Sequence, residues 1–144
     1  MTDYNPLPVT MRAVFLDKPE GSLIIKEVKI PVPGPGEVLV KISAAPINPS
    51  DIARLKNAHK EFDLNTFIPG LEGSGRVVAA GKGMLPMLWL GKRVACSSGD
   101  RGGTWAEYMV TPAAKCFPLN SRVSNEQGSM SLVNPLTALA FFDI

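Results

Sequence analysis

Alternation of apolar and polar positions is strongest at residues 37–45. Val38, Val40, Ile42 and Ala44 fall on one face, with Lys41 and Ser43 on the other, the period of two that marks a strand. Two strands are predicted before it, at 11–16 and 23–30, the second with Lys26, Glu27 and Lys29 open to water. Four more are predicted after it, at 76–80, 92–97, 104–110 and 115–119. Strong breakers separate these runs. Residues 17–21 hold Pro19 and Gly21. The stretch Pro31-Val32-Pro33-Gly34-Pro35-Gly36 carries three prolines, which remove donors and fix φ, so it reads as a stiff connector. Pro69-Gly70-Leu71-Glu72-Gly73-Ser74-Gly75 reads as a glycine-rich turn, and 98–103 joins two strands. Residues 1–10 read as a loose arm.

Helices are few and short. Asn48-Pro49 signals a start. Proline suits the first helical position, Asn48 is the N-cap, and Asp51 falls in the first turn, where the helix dipole favours it. The helix is predicted over 49–57, with Ile52 and Leu55 as its apolar stripe. A polar loop is expected over 58–68, with His59 near its start. Ser124-Asn125-Glu126-Gln127 fits a capping box ahead of a second short helix. Asn134-Pro135 repeats the first start signal, and a last helix is expected over 138–142. No Gly, Asn or basic residue closes it, and Phe141, Phe142 and Ile144 stand at its end. That uncapped apolar end reads as a chain interrupted before its fold is complete. Residues 84–90 (Met-Leu-Pro-Met-Leu-Trp-Leu) are apolar where a loop is expected. The reading is a buried loop; the alternative is an exposed patch that touches a partner subunit or lipid.

Composition narrows the function classes. Glycine and proline number thirteen each in 144 residues, about 18% together against about 12% in average usage, which favours turns and short strands. A net charge of +2 with scattered Lys and Arg gives no nucleic-acid footprint. The N-terminus has no apolar h-region, and no run approaches a membrane span. A cytoplasmic protein is expected, without nucleic-acid or membrane partners. Cys96 and Cys116 read as reduced core thiols, and His59 is the one histidine, which leaves little for a zinc site. The G-x-x-G-x-G order at 70–75 is not a dinucleotide fingerprint, because a strand pattern rather than a helix follows it.

Six ordered stretches carry a family resemblance. They are Pro33-Gly34-Pro35-Gly36-Glu37-Val38-Leu39-Val40-Lys41, Asn48-Pro49-Ser50-Asp51, Pro69-Gly70-Leu71-Glu72-Gly73-Ser74-Gly75 and Gly91-Lys92-Arg93-Val94, followed by Gly103-Thr104-Trp105-Ala106-Glu107-Tyr108 and Asn134-Pro135-Leu136-Thr137-Ala138. Together they resemble the N-terminal catalytic domain of medium-chain dehydrogenases/reductases. The implied fold is mainly β, a GroES-like twisted β-barrel with a few short helices. It would occupy 11–132 after the 1–10 arm, with 133–144 beginning a hinge helix toward a Rossmann domain that these residues do not contain. Within the family the chain is similar to the zinc-free quinone oxidoreductases and 2-enoyl thioester reductases. Zinc-dependent members carry Cys where this chain has Asn48 and His where it has Leu71, and the region 97–103 lacks their four-cysteine lobe.

The resemblance implies hydride transfer from NADPH, without zinc, to a small-molecule quinone or an α,β-unsaturated carbonyl. A homodimer is expected for the full-length protein, and the 144 residues alone are expected to be inactive. The implied site residues are Asn48 and His59 for catalysis, and Asn48, Asn134 and Thr137 for the cofactor. His59 stands near where relatives often have Tyr, and Ala53 stands at a second such position. Asp51 and Glu72 are expected to be scaffold residues, and Trp105 and Tyr108 packing residues. Two other readings remain: a stand-alone GroES-like interaction module, and a degenerate member without activity.

Overall fold

The computed structural model describes residues 6–19 and 21–142. The first half of the predicted 1–10 arm and the final Asp143-Ile144 lie outside them. The fold is mainly β, in two sheets. Strands β1 (Thr10–Leu16) and β2 (Leu23–Lys29) form an antiparallel hairpin, with Thr10 opposite Lys29 and Leu16 opposite Leu23. Strands β3 (Glu37–Ala44), β4 (Glu72–Ala80), β5 (Arg93–Ser97), β6 (Tyr108–Pro112) and β7 (Cys116–Pro118) make a second antiparallel sheet. Its order is β6-β3-β4-β5-β7. Among the described residues the sheets do not close into one barrel. They are stitched by the segment before β6: Val14 N–H donates to the Trp105 carbonyl, and Ile42 N–H to the Glu107 carbonyl, each at 2.9 Å.

Period-two alternation along β3 feeds two cores. Val38 and Val40 pack with Val77, Val94, Cys96 and Met109. Leu39, pointing the other way, packs with Met11, Phe15, Tyr108 and Val110. Strand β3 is therefore covered on both faces, which its polar positions Lys41 and Ser43 conceal in the sequence.

Five elements differ from expectation. Helix α1 runs Pro49–Glu61, so His59 is helical rather than in a loop. Ala58 is fully buried in a third apolar cluster with Leu16 and Phe67, and this contact carries the helix past the predicted stop, while Ile52 is exposed. Strand β4 begins at Glu72, four residues early, through pairing with both β3 and β5. Its Gly75 lies so close to the Lys41 carbonyl, beside a bulge in β3, that a Cβ would collide with it. Gly73 and Gly75, which read as part of a turn, are thus strand residues in close backbone approach. Residues 104–107 are not strand, because their backbone bridges the two sheets. Residues 84–90 are not a buried loop: Met84–Trp89 is a helix, α2, with Pro86 in its first turn and most of its apolar side chains exposed. The capping box at Ser124 forms as predicted, starting α3 (Asn125–Ser129). Helix α4 (Val133–Ala140) starts before Asn134, with Leu132 at its N-cap position.

Candidate functional site

Strand β3 hands the chain to α1 at Asn48. This residue is extended (φ −93°, ψ 156°) and stands at the N-cap, with Pro49 at the first helical position. Asp51 closes the turn. Its Oδ2 accepts the Asn48 N–H at 2.8 Å and its Oδ1 accepts the Leu71 N–H at 3.0 Å. One buried carboxylate thereby fixes the helix start and holds the strand that carries Glu72.

Glu72 is 1% exposed. Its Oε1 accepts from Asn48 Nδ2 at 2.9 Å. Its Oε2 accepts the backbone N–H groups of Leu132 and Val133 at 3.0 and 2.9 Å. Those are orphan donors at the start of α4, where Leu132 has no side-chain oxygen of its own. Glu72 is therefore a remote cap. The ion pairs described in the structure, Arg12–Glu107 and Arg101–Glu37, lie elsewhere, so N–H donors are what compensate this buried carboxylate. Asn134 Nδ2 completes the network by donating to Asn48 Oδ1 at 3.2 Å. Three segments distant in sequence meet here, and Asn48, 3% exposed, is at their centre.

Thr137 follows Asn134 by three residues, the spacing that places both on one face of α4. Both are exposed, and the Thr137 hydroxyl donates to the Val133 carbonyl at 2.7 Å. Asn134 and Asn48 are thus brought together, with Thr137 one turn along α4 on the Asn134 face. His59 is not brought there. It sits exposed in the last turn of α1, about 15 Å along the axis from Pro49 at 1.5 Å per residue. Trp105 Nε1 donates to the Pro46 carbonyl at 3.1 Å, bracing the approach to Asn48, and Tyr108 is buried in the second core.

Among the described residues, no three His, Cys, Asp or Glu side chains gather as a metal-holding group. At the turn itself the polar groups are two amides, Asn48 and Asn134, and two carboxylates, Asp51 and Glu72, whose oxygens already receive N–H donors. Cys96 and Cys116 face each other across β5 and β7. Burial pushes the Cys116 thiol up to about 12. Burial, and then the neighbouring Cys116, push Cys96 the same way. Neither is poised as a thiolate at neutral pH.

The model of the alcohol dehydrogenase GroES-like domain matches residues 34–121. The chain belongs to that family. As a GroES-like domain of the medium-chain dehydrogenase/reductase superfamily, it is similar to the rat synaptic vesicle membrane protein VAT-1 homolog, at 32% identity over 78% of this chain and 28% of that protein. It is similar to the mitochondrial enoyl-[acyl-carrier-protein] reductase of Arabidopsis thaliana, at 34% identity over 74% of this chain and 28% of that protein. Among solved structures, a candidate NADPH:quinone reductase from Mesorhizobium loti superposes with a TM-score of 0.85 at 38% identity, over 96% of this chain and 44% of that one. The GroES-like chain thus spans about a quarter to under half the length of these relatives.

Glu72 was legible as a scaffold residue of its motif, and a Glu is seldom fully buried unless partnered, but what it caps was not legible. Its partners at 132 and 133 are backbone groups, which leave no side-chain signature.

Proposed function

We propose that this GroES-like chain forms one wall of the active site of an NADPH-dependent oxidoreductase that reduces a quinone or an α,β-unsaturated carbonyl compound without zinc. The observation that carries this reading is the Asn48–Glu72–Asn134 network. Asn48 stands where zinc-dependent relatives have a cysteine, and the Glu72 oxygens are engaged by N–H groups rather than free for a metal. The names of the Arabidopsis and Mesorhizobium relatives, an enoyl reductase and an NADPH:quinone reductase, support the substrate classes and the cofactor.

The residues fit a nicotinamide at the level of donor sets. Asn134 uses one amide hydrogen on Asn48 and keeps its own carbonyl oxygen and second N–H. Thr137 offers a hydroxyl oxygen as acceptor on the same exposed face. An amide and a hydroxyl side by side complement a carboxamide and a ribose hydroxyl. NADPH, when bound, supplies the hydride. Asn48 holds Asn134 in place and aligns the carboxylate that caps α4. The proposed division of labour leaves the 144 residues inactive alone.

The test is NADPH consumption, with a benzoquinone or a short 2-enoyl-CoA as acceptor, by the longer polypeptide expected from the relatives' lengths. Turnover with either acceptor, unaffected by a zinc chelator, is expected. Turnover abolished by the chelator would overturn the zinc-free reading. No turnover with either acceptor would overturn the substrate class.

A further inference from the structure

The six-residue helix α2 exposes apolar side chains that the fold does not use. Met84 is 82% exposed, Met87 59% and Leu88 55%, with Leu85 and Leu90 also open to solvent. The helix is anchored from beneath. Pro86 is buried, Trp89 packs against the first core, and Trp89 Nε1 donates to the Ala113 carbonyl at 2.9 Å. The outward groups are therefore presented on a fixed support, not on a loose tip.

Charge along the segment that carries this patch has one sign. From Gly73 to Gly99 the chain holds Arg76, Lys82, Lys92 and Arg93 and no acidic residue. Lys82 and Lys92 flank the helix on either side, and both are exposed, as is Arg76. Lys92 Nζ lies 5.4 Å from the Trp89 ring centroid, and Arg76 Nη1 donates to the Gly91 carbonyl at 2.6 Å, so these cations border the apolar residues. Lys115 ends the short turn Ala113–Lys115 beside α2, and its Nζ donates to the Ser98 carbonyl at 3.1 Å. Glu37, whose backbone carbonyl accepts the Gly81 N–H just ahead of α2, has its carboxylate engaged by Arg101 at 2.7 Å and by Gly34 N–H.

We propose that α2 and its basic collar dock the protein on an anionic lipid surface, with Met84, Met87 and Leu88 entering the headgroup and acyl boundary. Apolar residues ringed by lysines and arginines match the two attractions that hold a peripheral protein on such a surface. A second copy of this chain fits less well, because a two-fold contact would set the basic collar against itself, and a helix about 9 Å long offers little area for a dimer. The expectation of no membrane partner rested on the absence of a spanning segment. Among the described residues no helix is long and apolar enough to cross a membrane, but surface docking requires none.

Sedimentation with phosphatidylcholine vesicles, with and without about one-third phosphatidylserine, tests this. The full chain is expected to pellet with the anionic vesicles, to stay soluble with the neutral ones, and to be released by salt. Met87→Asp with Leu88→Asp should abolish pelleting while leaving the circular dichroism unchanged, since both side chains are exposed. Lys82→Ala and Lys92→Ala should each weaken binding about fivefold. Failure to pellet with anionic vesicles overturns the proposal. So does self-association of the free chain that the Met87 and Leu88 substitutions remove, which would assign the face to a second copy. Either outcome leaves the reductase reading standing, because α2 contributes nothing to the Asn48 network.

Discussion

At the scale of single residues, Asn48 and Glu72 act as one unit. Asn48 is a helix N-cap by position, but its amide is directed at Glu72 and Asn134, while Asp51 and the backbone close the turn. Asn48→Ser should therefore preserve α1 yet break the link to Asn134. Asn48→Ala should cost about 1–3 kcal/mol by leaving a buried carboxylate oxygen without its donor, read from the urea midpoint. In the longer enzyme we propose, both variants should lower kcat/KM by more than the lost stability explains. Unchanged kinetics would reduce Asn48 to a scaffold residue. Glu72→Gln should destabilise by a similar amount, because an amide NH2 would then confront N–H groups at one of its contacts.

Among the elements, α4 depends on a residue it does not contain. It buries no side chain of its own, exposes Leu136 and Leu139, and is held at its start by Glu72. Hydrogen exchange in its amides is expected to be faster than in β3 and β4, whose ladders are covered by the two cores. Glu72→Ala should remove what protection α4 has while leaving that of β3 largely intact. Equal loss in both would show that Glu72 supports the whole sheet rather than the helix. Helix α1 makes the contrasting case, since burial of Ala58 extends it beyond what its own polar sequence supports.

Over the whole molecule, pH reports on the core that packs between β5 and β7. Burial raises both thiols, Cys116 to about 12. A thiol raised on folding keeps its proton in the native state after the unfolded chain has lost its own. Stability is therefore full below about pH 8.5 and falls as pH rises from there toward 12. The urea midpoint should decline between about pH 8.5 and 10, and Cys96→Ala combined with Cys116→Ala should flatten that slope whatever its cost at neutral pH. A midpoint with the same slope in the double variant would place the titration elsewhere. By itself the sequence determined the elements that obey local rules: the period-two strands, the proline connector, the Asn48-Pro49 helix start and the Ser124 capping box. Its motifs also named Asn48, Asn134 and Thr137 together, and of these Asn48 and Asn134 share a hydrogen bond. Only the tertiary structure decided what depends on partners far along the chain. Gly73 to Gly75 became strand because two neighbouring strands claim their backbone, and Glu72 became a cap because backbone N–H groups some sixty residues on reach it. His59 was carried away from the site by a helix that ran one turn further. Local spacing fixes how a segment can fold, but burial and backbone pairing across the chain fix where it does.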